Sequence, residues 1–195
     1  MHPGADPRFT GIVLGVVVDR NDPDDLGRVR VRVPGLLEPA STWALPMGTV
    51  GGGSSDRGVF AVPEVDADVG VMFLNADPDR PVYFGGHWGR PNGTSEVPEV
   101  ARDKGSDDDG NRKTPNIRSF ESRRFRVVLN DNAGEESVRL EDKVSGDLIE
   151  LDGAQRGMYL KATSAIILEC VGLIDIRGLA VQINGRPVMR SPKAI

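Results

Sequence analysis

From Phe125 to Pro187 the chain is a succession of short apolar runs separated by turn formers. Val127-Val128-Leu129, Val138-Arg139-Leu140, Leu148-Ile149-Glu150-Leu151 and Met158-Tyr159-Leu160 come first. Ile166-Ile167-Leu168, Leu173-Ile174-Asp175-Ile176 and Leu179 through Ile183 follow. Asn130-Asp131-Asn132-Ala133-Gly134, Ser145-Gly146-Asp147, Asp152-Gly153, Arg156-Gly157, Gly172, Arg177-Gly178 and Asn184-Gly185 punctuate them. Between Val138 and Val181 the runs recur about every ten residues at first and about every seven later, which predicts repeated β-structure. A rung this short cannot bury its own apolar face, and a one-chain ladder of such rungs leaves open edges and an exposed stripe. Three copies wound about one axis would cover every stripe. The pattern therefore predicts an intertwined trimeric β-helix or β-prism rod over residues 117–195. Leu140, Leu148, Met158, Leu160, Ile166, Leu168, Ile174, Ile176, Val181 and Ile183 are its expected axis. A single-chain β-solenoid or half of a β-sandwich would use the same rungs.

A second pattern occupies the first ninety or so residues. Gly11 to Val18 is an expected strand, ending in the turn-rich Asp19-Arg20-Asn21-Asp22-Pro23-Asp24-Asp25. Arg28-Val29-Arg30-Val31-Arg32-Val33 alternates strictly, with valines facing a core and arginines facing out. Trp43-Ala44-Leu45-Pro46-Met47, Val59-Phe60-Ala61-Val62-Pro63, Val69 to Leu74 and Pro81 to Gly86 supply further strands around a glycine-rich loop at Gly48 to Gly58. Several short strands and no helix predict a small closed barrel of the OB type over residues 1–90. Residues 91–116 are polar and rich in breakers, as a linker or surface excursion would be. The fold class expected is all-β: a barrel, then a rod.

Composition narrows the function. Of the 195 residues 38% are hydrophobic and only 5% aromatic, thin for one large core and better suited to a narrow shared one. The net charge of −5 gives no general attraction to nucleic acid or anionic membrane. The single cysteine, Cys170, excludes an intrachain disulfide and fits a small buried hydrophobe. The first residues lack the basic and apolar regions of a signal peptide, and no apolar run approaches the ~18 residues of a membrane span. The expectation is synthesis in a bacterial cytoplasm without secretory export.

Candidate chemistry is scarce. Asp107-Asp108-Asp109-Gly110-Asn111 has calcium-loop residues, but Arg112 and Arg118 stand where the loop needs glycine and a bidentate glutamate. Gly51-Gly52-Gly53-Ser54-Ser55 lacks the lysine and the helix of a phosphate cradle. His87 sits in Gly85-Gly86-His87-Trp88-Gly89 without any nucleophile motif. No catalytic residue, cofactor or metal site is expected. A barrel with Arg28, Arg30 and Arg32 on one edge leaves a monomeric nucleic-acid- or glycan-binding module as the alternative, although stacking aromatics are few.

Four blocks then carry a resemblance. Asp22-Pro23-Asp24-Asp25-Leu26-Gly27-Arg28-Val29-Arg30-Val31-Arg32-Val33-Pro34-Gly35, Ser41-Thr42-Trp43-Ala44, Pro63-Glu64-Val65 and Asp77-Pro78-Asp79-Arg80-Pro81-Val82-Tyr83-Phe84-Gly85-Gly86 resemble, in order and spacing, the OB domain of contractile-tail central spikes. That family includes phage baseplate assembly protein V, the type VI secretion spike and the spikes of tailocins and extracellular injection systems. One departure stands out: Asp66 replaces the glycine the family often has after Pro-Glu-Val. The resemblance implies a non-enzymatic homotrimer in a virion or injection-particle baseplate. It would attach to a trimeric tail hub protein and pierce the target cell envelope, and nucleic acid is not among its partners. Residues 91–116 are too short for the lysozyme domain some spikes insert, and the end lacks the iron-binding His-x-His of some needle tips. Pro187 and Pro192 should end the ladder. Val188, Met189, Arg190, Lys193 and Ile195 are then expected to form a blunt platform for a separate tip protein.

Overall fold

The computed structural model describes residues 7–48, 52–102 and 114–188. The chain divides into two units, Met1–Arg102 and Asp103–Ile195. In the first, strands β1 (Val13–Asp19), β2 (Val29–Arg32), β3 (Trp43–Pro46), β4 (Asp68–Phe73) and β5 (Pro81–Gly86) close into a barrel in the order β1-β2-β3-β5-β4. Only β3 and β5 run parallel; the other pairs are antiparallel. Alternation fills the interior: Val29, Val31 and Val33 point inward against Val17, Val69, Val71, Phe73 and Tyr83, while Arg30 and Arg32 stand outside. Phe9 meets Phe73 edge-to-face, with ring centres 4.9 Å apart.

One expected strand is corrected. Val59-Phe60-Ala61-Val62-Pro63 has a strand's composition but forms none. Closure leaves no ladder edge for it, because β4 already pairs with β1 and β5, and β3 with β2 and β5. Phe60 instead lies against Gly27. The Asp66 departure has a clean resolution. Asp66 adopts φ +70° and its N–H donates to the Val17 carbonyl at 2.9 Å, so aspartate takes up the left-handed turn a glycine would make.

The second unit begins with an antiparallel meander of β6 (Ile117–Glu121), β7 (Phe125–Asn130), β8 (Ser137–Asp142), β9 (Leu148–Asp152) and β10 (Gly157–Lys161). Its order is β10-β9-β8-β7-β6, so the sheet is open, with β6 and β10 as edges. Residues 162–181 contain no strand. The runs at Ile166–Leu168 and Leu173–Ile176, expected as rungs, have no partner strand among the described residues. Gln182–Ile183 (β11) and Arg186–Pro187 (β12) form a two-stranded hairpin around Asn184-Gly185. No helix of the described residues is long and apolar enough to cross a membrane.

Candidate functional site

The motif loop of the barrel is built around Asp22. Its carboxylate accepts hydrogen bonds from the backbone N–H groups of Asp24 (3.1 Å), Leu26 (2.8 Å) and Arg28 (3.1 Å). The Arg28 guanidinium adds two more, at 3.0 and 2.6 Å from Nε and Nη2, pairs with Asp24 as well, and lies 5.7 Å from the centre of the Trp43 ring. The Arg28 hydrogen bonds, opposed by desolvation and helped by the backbone N–H groups, hold the Asp22 carboxyl well below the usual carboxylate range. The Tyr83 hydroxyl donates to the Gly27 carbonyl at 2.7 Å, pinning the loop to β5. Asp22, Arg28 and Tyr83 thus direct their polar groups into the loop itself and act as its scaffold.

The second unit is different, and the register shows why. Cross-strand partners share a face. One row runs Arg118–Leu129–Val138–Leu151–Met158, and the next Phe120–Val127–Leu140–Ile149–Leu160. Apart from Arg118 these two rows are wholly apolar. On the opposite face the rows are Ser119–Val128–Arg139–Glu150–Tyr159 and Glu121–Arg126–Glu141–Leu148–Lys161. There Arg126 pairs with Glu141 at 2.9 Å, Arg139 with Glu150 at 2.6 Å, and Lys143 reaches Glu121 at 3.2 Å. Burial is inverted relative to an ordinary half-buried sheet. In β9 the apolar Ile149 and Leu151 are exposed while Glu150 and Asp152 are half-buried. Phe120 is 59% exposed, Leu160 52% and Met158 69%. An apolar face of this extent, uncovered by the other described residues, has the character of an interaction surface.

The expected axis residues divide accordingly. Leu140, Met158 and Leu160 lie together on the apolar face. Leu148 does not: it pairs with Glu141 and Lys161 on the charged face, and Ile149 and Leu151 take the apolar positions. The turn between β8 and β9 sets this phase. Ile166 lines a groove of about 380 Å³ with Phe125, Leu140, Leu148, Ile149 and Leu160, where the chain leaves β10. Leu168, Ile174 and Ile176 are exposed and in no ladder, Val181 is half-buried, and Ile183 is in the terminal hairpin. Cys170, expected to be buried, is exposed because no other described residue covers the Ile166–Val171 run. Val188 is exposed, and Met189, Arg190, Lys193 and Ile195 lie outside the described residues, as does Asp107–Asn111. The sequence reading missed Phe120, Phe125, Val127, Leu129 and Val138. Their signal was the alternation of β6, β7 and β8 taken across strands rather than run by run.

The β8–β9 turn gives a pH prediction. Asp142 accepts from Arg124 Nε at 2.8 Å and from the Val144 N–H at 2.9 Å. The Arg124 hydrogen bond, against desolvation, lowers its pKa to about 2, and the turn's N–H groups add to the shift. A carboxyl depressed in the folded state contributes stability that is complete above its unfolded pKa of about 4. That contribution drains away as pH falls toward 2. The Asp142→Asn chain should therefore show a flatter loss of far-ultraviolet ellipticity across this window than wild type. Superimposable acid titrations would refute the assignment.

Among the described residues no group of histidine, cysteine, aspartate and glutamate side chains could hold a metal ion. Residues 13–88 match the family described as the type VI secretion system/phage-baseplate injector OB domain, a span that runs from the first residue of β1 to just beyond β5. No curated protein matches the chain. The barrel of this chain is thus similar to the injector OB domains of phage baseplates and type VI secretion systems, a likeness that points to a structural, baseplate-related role.

Proposed function

We propose that this protein is the non-enzymatic central spike of a contractile phage tail or a phage-like injection system, working as a homotrimer. The observation that carries the reading is the exposed apolar face of the β6–β10 sheet in a chain that also holds an injector OB domain. Three copies turn their apolar faces to a common axis and their ion-paired faces to water, forming a β-prism. The runs between Ile166 and Ile183 extend it as an intertwined β-helix. Burying a large aliphatic side chain stabilises by about 1.5–3 kcal/mol, so the two rows together supply a strong drive to associate. The barrels attach to the trimeric tail hub, and sheath contraction drives the rod through the target envelope. The work is mechanical: each chain's ladder is held by its neighbours, so local opening requires loss of the shared core.

Size-exclusion chromatography with light scattering tests the reading. The expected mass is that of three 21.0 kDa chains. A folded monomer at micromolar concentration would sink it and favour the monomeric OB-type binding module. Residues 188–195 are the proposed seat of a separate tip protein. Deleting residues 188–195 should leave the trimer intact and abolish tip retention and infectivity or killing. A fully active truncation rules that docking out.

A further inference from the structure

The sequence contains two Asn-Gly pairs, Asn92-Gly93 and Asn184-Gly185. In each, the asparagine side chain is open to attack by the backbone nitrogen of the glycine, because no Cβ stands beside that nitrogen. The fold treats the two pairs differently. Gly93 N–H donates to the Arg90 carbonyl at 3.3 Å. Its turn is held further by Thr94 N–H on the Pro91 carbonyl (3.0 Å) and by Arg90 Nε on the Gly93 carbonyl (2.7 Å). The chemically related Asp152-Gly153 pair is held as well. Gly153 N–H donates to the Glu136 carbonyl at 2.7 Å, and the Asp152 carboxylate accepts from Gln155 N–H at 2.8 Å. Gly185 N–H, by contrast, has no acceptor among the described residues. Asn184 and Gly185 take φ +50° and +72°, as a two-residue type I′ turn requires, and join strands of two residues each. Residues 182–188 are all exposed, and a lone two-stranded hairpin is marginally stable in water. Beyond the ladder, Val188 N–H donates to the Val181 carbonyl at 2.7 Å.

We propose that Asn184 is a site of spontaneous deamidation, and that the fold protects Asn92 from the same reaction. The Gly185 nitrogen gives its proton to water and bonds to Asn184 Cγ. The Cγ–Nδ2 bond breaks, and the nitrogen leaves as ammonia after taking a proton from water. The product is a cyclic imide, which a water molecule opens. Hydrolysis at Cγ leaves aspartate. Hydrolysis at the main-chain carbonyl leaves isoaspartate, whose backbone runs through Cβ and Cγ. Nothing is oxidised or reduced. Either product adds a negative charge to a chain of formal charge −5. Isoaspartate also lengthens the main chain by a carbon atom, which a two-residue loop cannot absorb, because loop length sets the register of the strands. The Ile183–Arg186 pairing and the Val188–Val181 hydrogen bond are lost with it. Ring closure at Asn92 first requires release of the Gly93 hydrogen bond, so it should run slower by a factor on the order of ten.

The test incubates the full chain at mildly alkaline pH, digests it, and follows both asparagine-containing peptides of the same sample by mass spectrometry. Expected is conversion of Asn184 about tenfold faster than of Asn92. Isoelectric focusing should show acidic forms that Asn184→Gln removes and Asn92→Gln does not. In denaturant the two rates should converge, since only the fold separates them. Hydrogen exchange over residues 182–188 should rise in the aged protein and stay unchanged over β7 to β9. Equal rates in the native protein, or an Asn184 that stays intact, overturn the proposal. A difference that persists in denaturant overturns it as well, because neighbouring residues and not hydrogen bonds would then set the rates.

Discussion

Leu140→Asp will convert the assembled protein to monomers, whereas Ser119→Asp will leave it assembled. Leu140 sits on the central strand β8 between Val127 and Ile149, in the middle of the apolar face. Ser119 lies on the charged face, opposite Val128 on β7. The two substitutions add the same charge to the same sheet, on opposite sides. Losing one buried leucine costs about 2–3 kcal/mol per copy, and a carboxylate placed in an apolar seam costs more unless it is paired. In the proposed trimer three copies share one axis. The association constant should therefore fall by a factor on the order of a hundred thousand or more. Light scattering at micromolar concentration reads the difference directly. Equal effects from the two variants would show that the apolar face is not the one that associates.

Gly27→Ala should be the most damaging small change in the barrel. Gly27 has φ +71°, and a Cβ there would lie 2.6 Å from the Phe60 ring. Backbone strain of this kind costs about 1–3 kcal/mol, and displacing the ring adds to it. For a domain this size about 1 kcal/mol moves the melting temperature by roughly 4–8 °C, so a fall of about 10 °C or more is expected. Two terms are mixed in that number, and a cycle separates them. Phe60→Ala removes the clash and not the strain, so Gly27→Ala should cost less in a Phe60→Ala background. Strictly additive losses would mean the ring had room to move, and strain alone sets the cost.

What the sequence disclosed, and what it hid, follows the range of the forces involved. The Arg28–Val33 alternation and the Asp22–Gly27 turn are local, and both were legible. The Val59–Pro63 segment was misread because strand composition is local but a ladder partner is not. Nothing in those residues reveals that closure has used every edge. Leu148 was misplaced for a related reason. Leu148 and Ile149 are both apolar, so the run carries no phase of its own. Only the pairing of Glu141 with Leu148 and Leu140 with Ile149, fixed through the preceding turn, decides which one faces the apolar side. The runs between Ile166 and Ile176 were legible as apolar runs, yet among the described residues they have no strand to pair with.

The ion pairs of the charged face have a consequence for the medium in which the protein can work. Arg126, Arg139 and Lys143 each meet a carboxylate of the same sheet, and these pairs are half-buried. Partly buried pairs are screened much less by salt than fully exposed ones. The apolar rows behind them gain as salt rises, since salting-out ions strengthen burial. Ionic strength therefore leaves the charged face largely intact and reinforces the apolar one. A particle carrying this sheet should hold together in dilute fresh water and in brine alike.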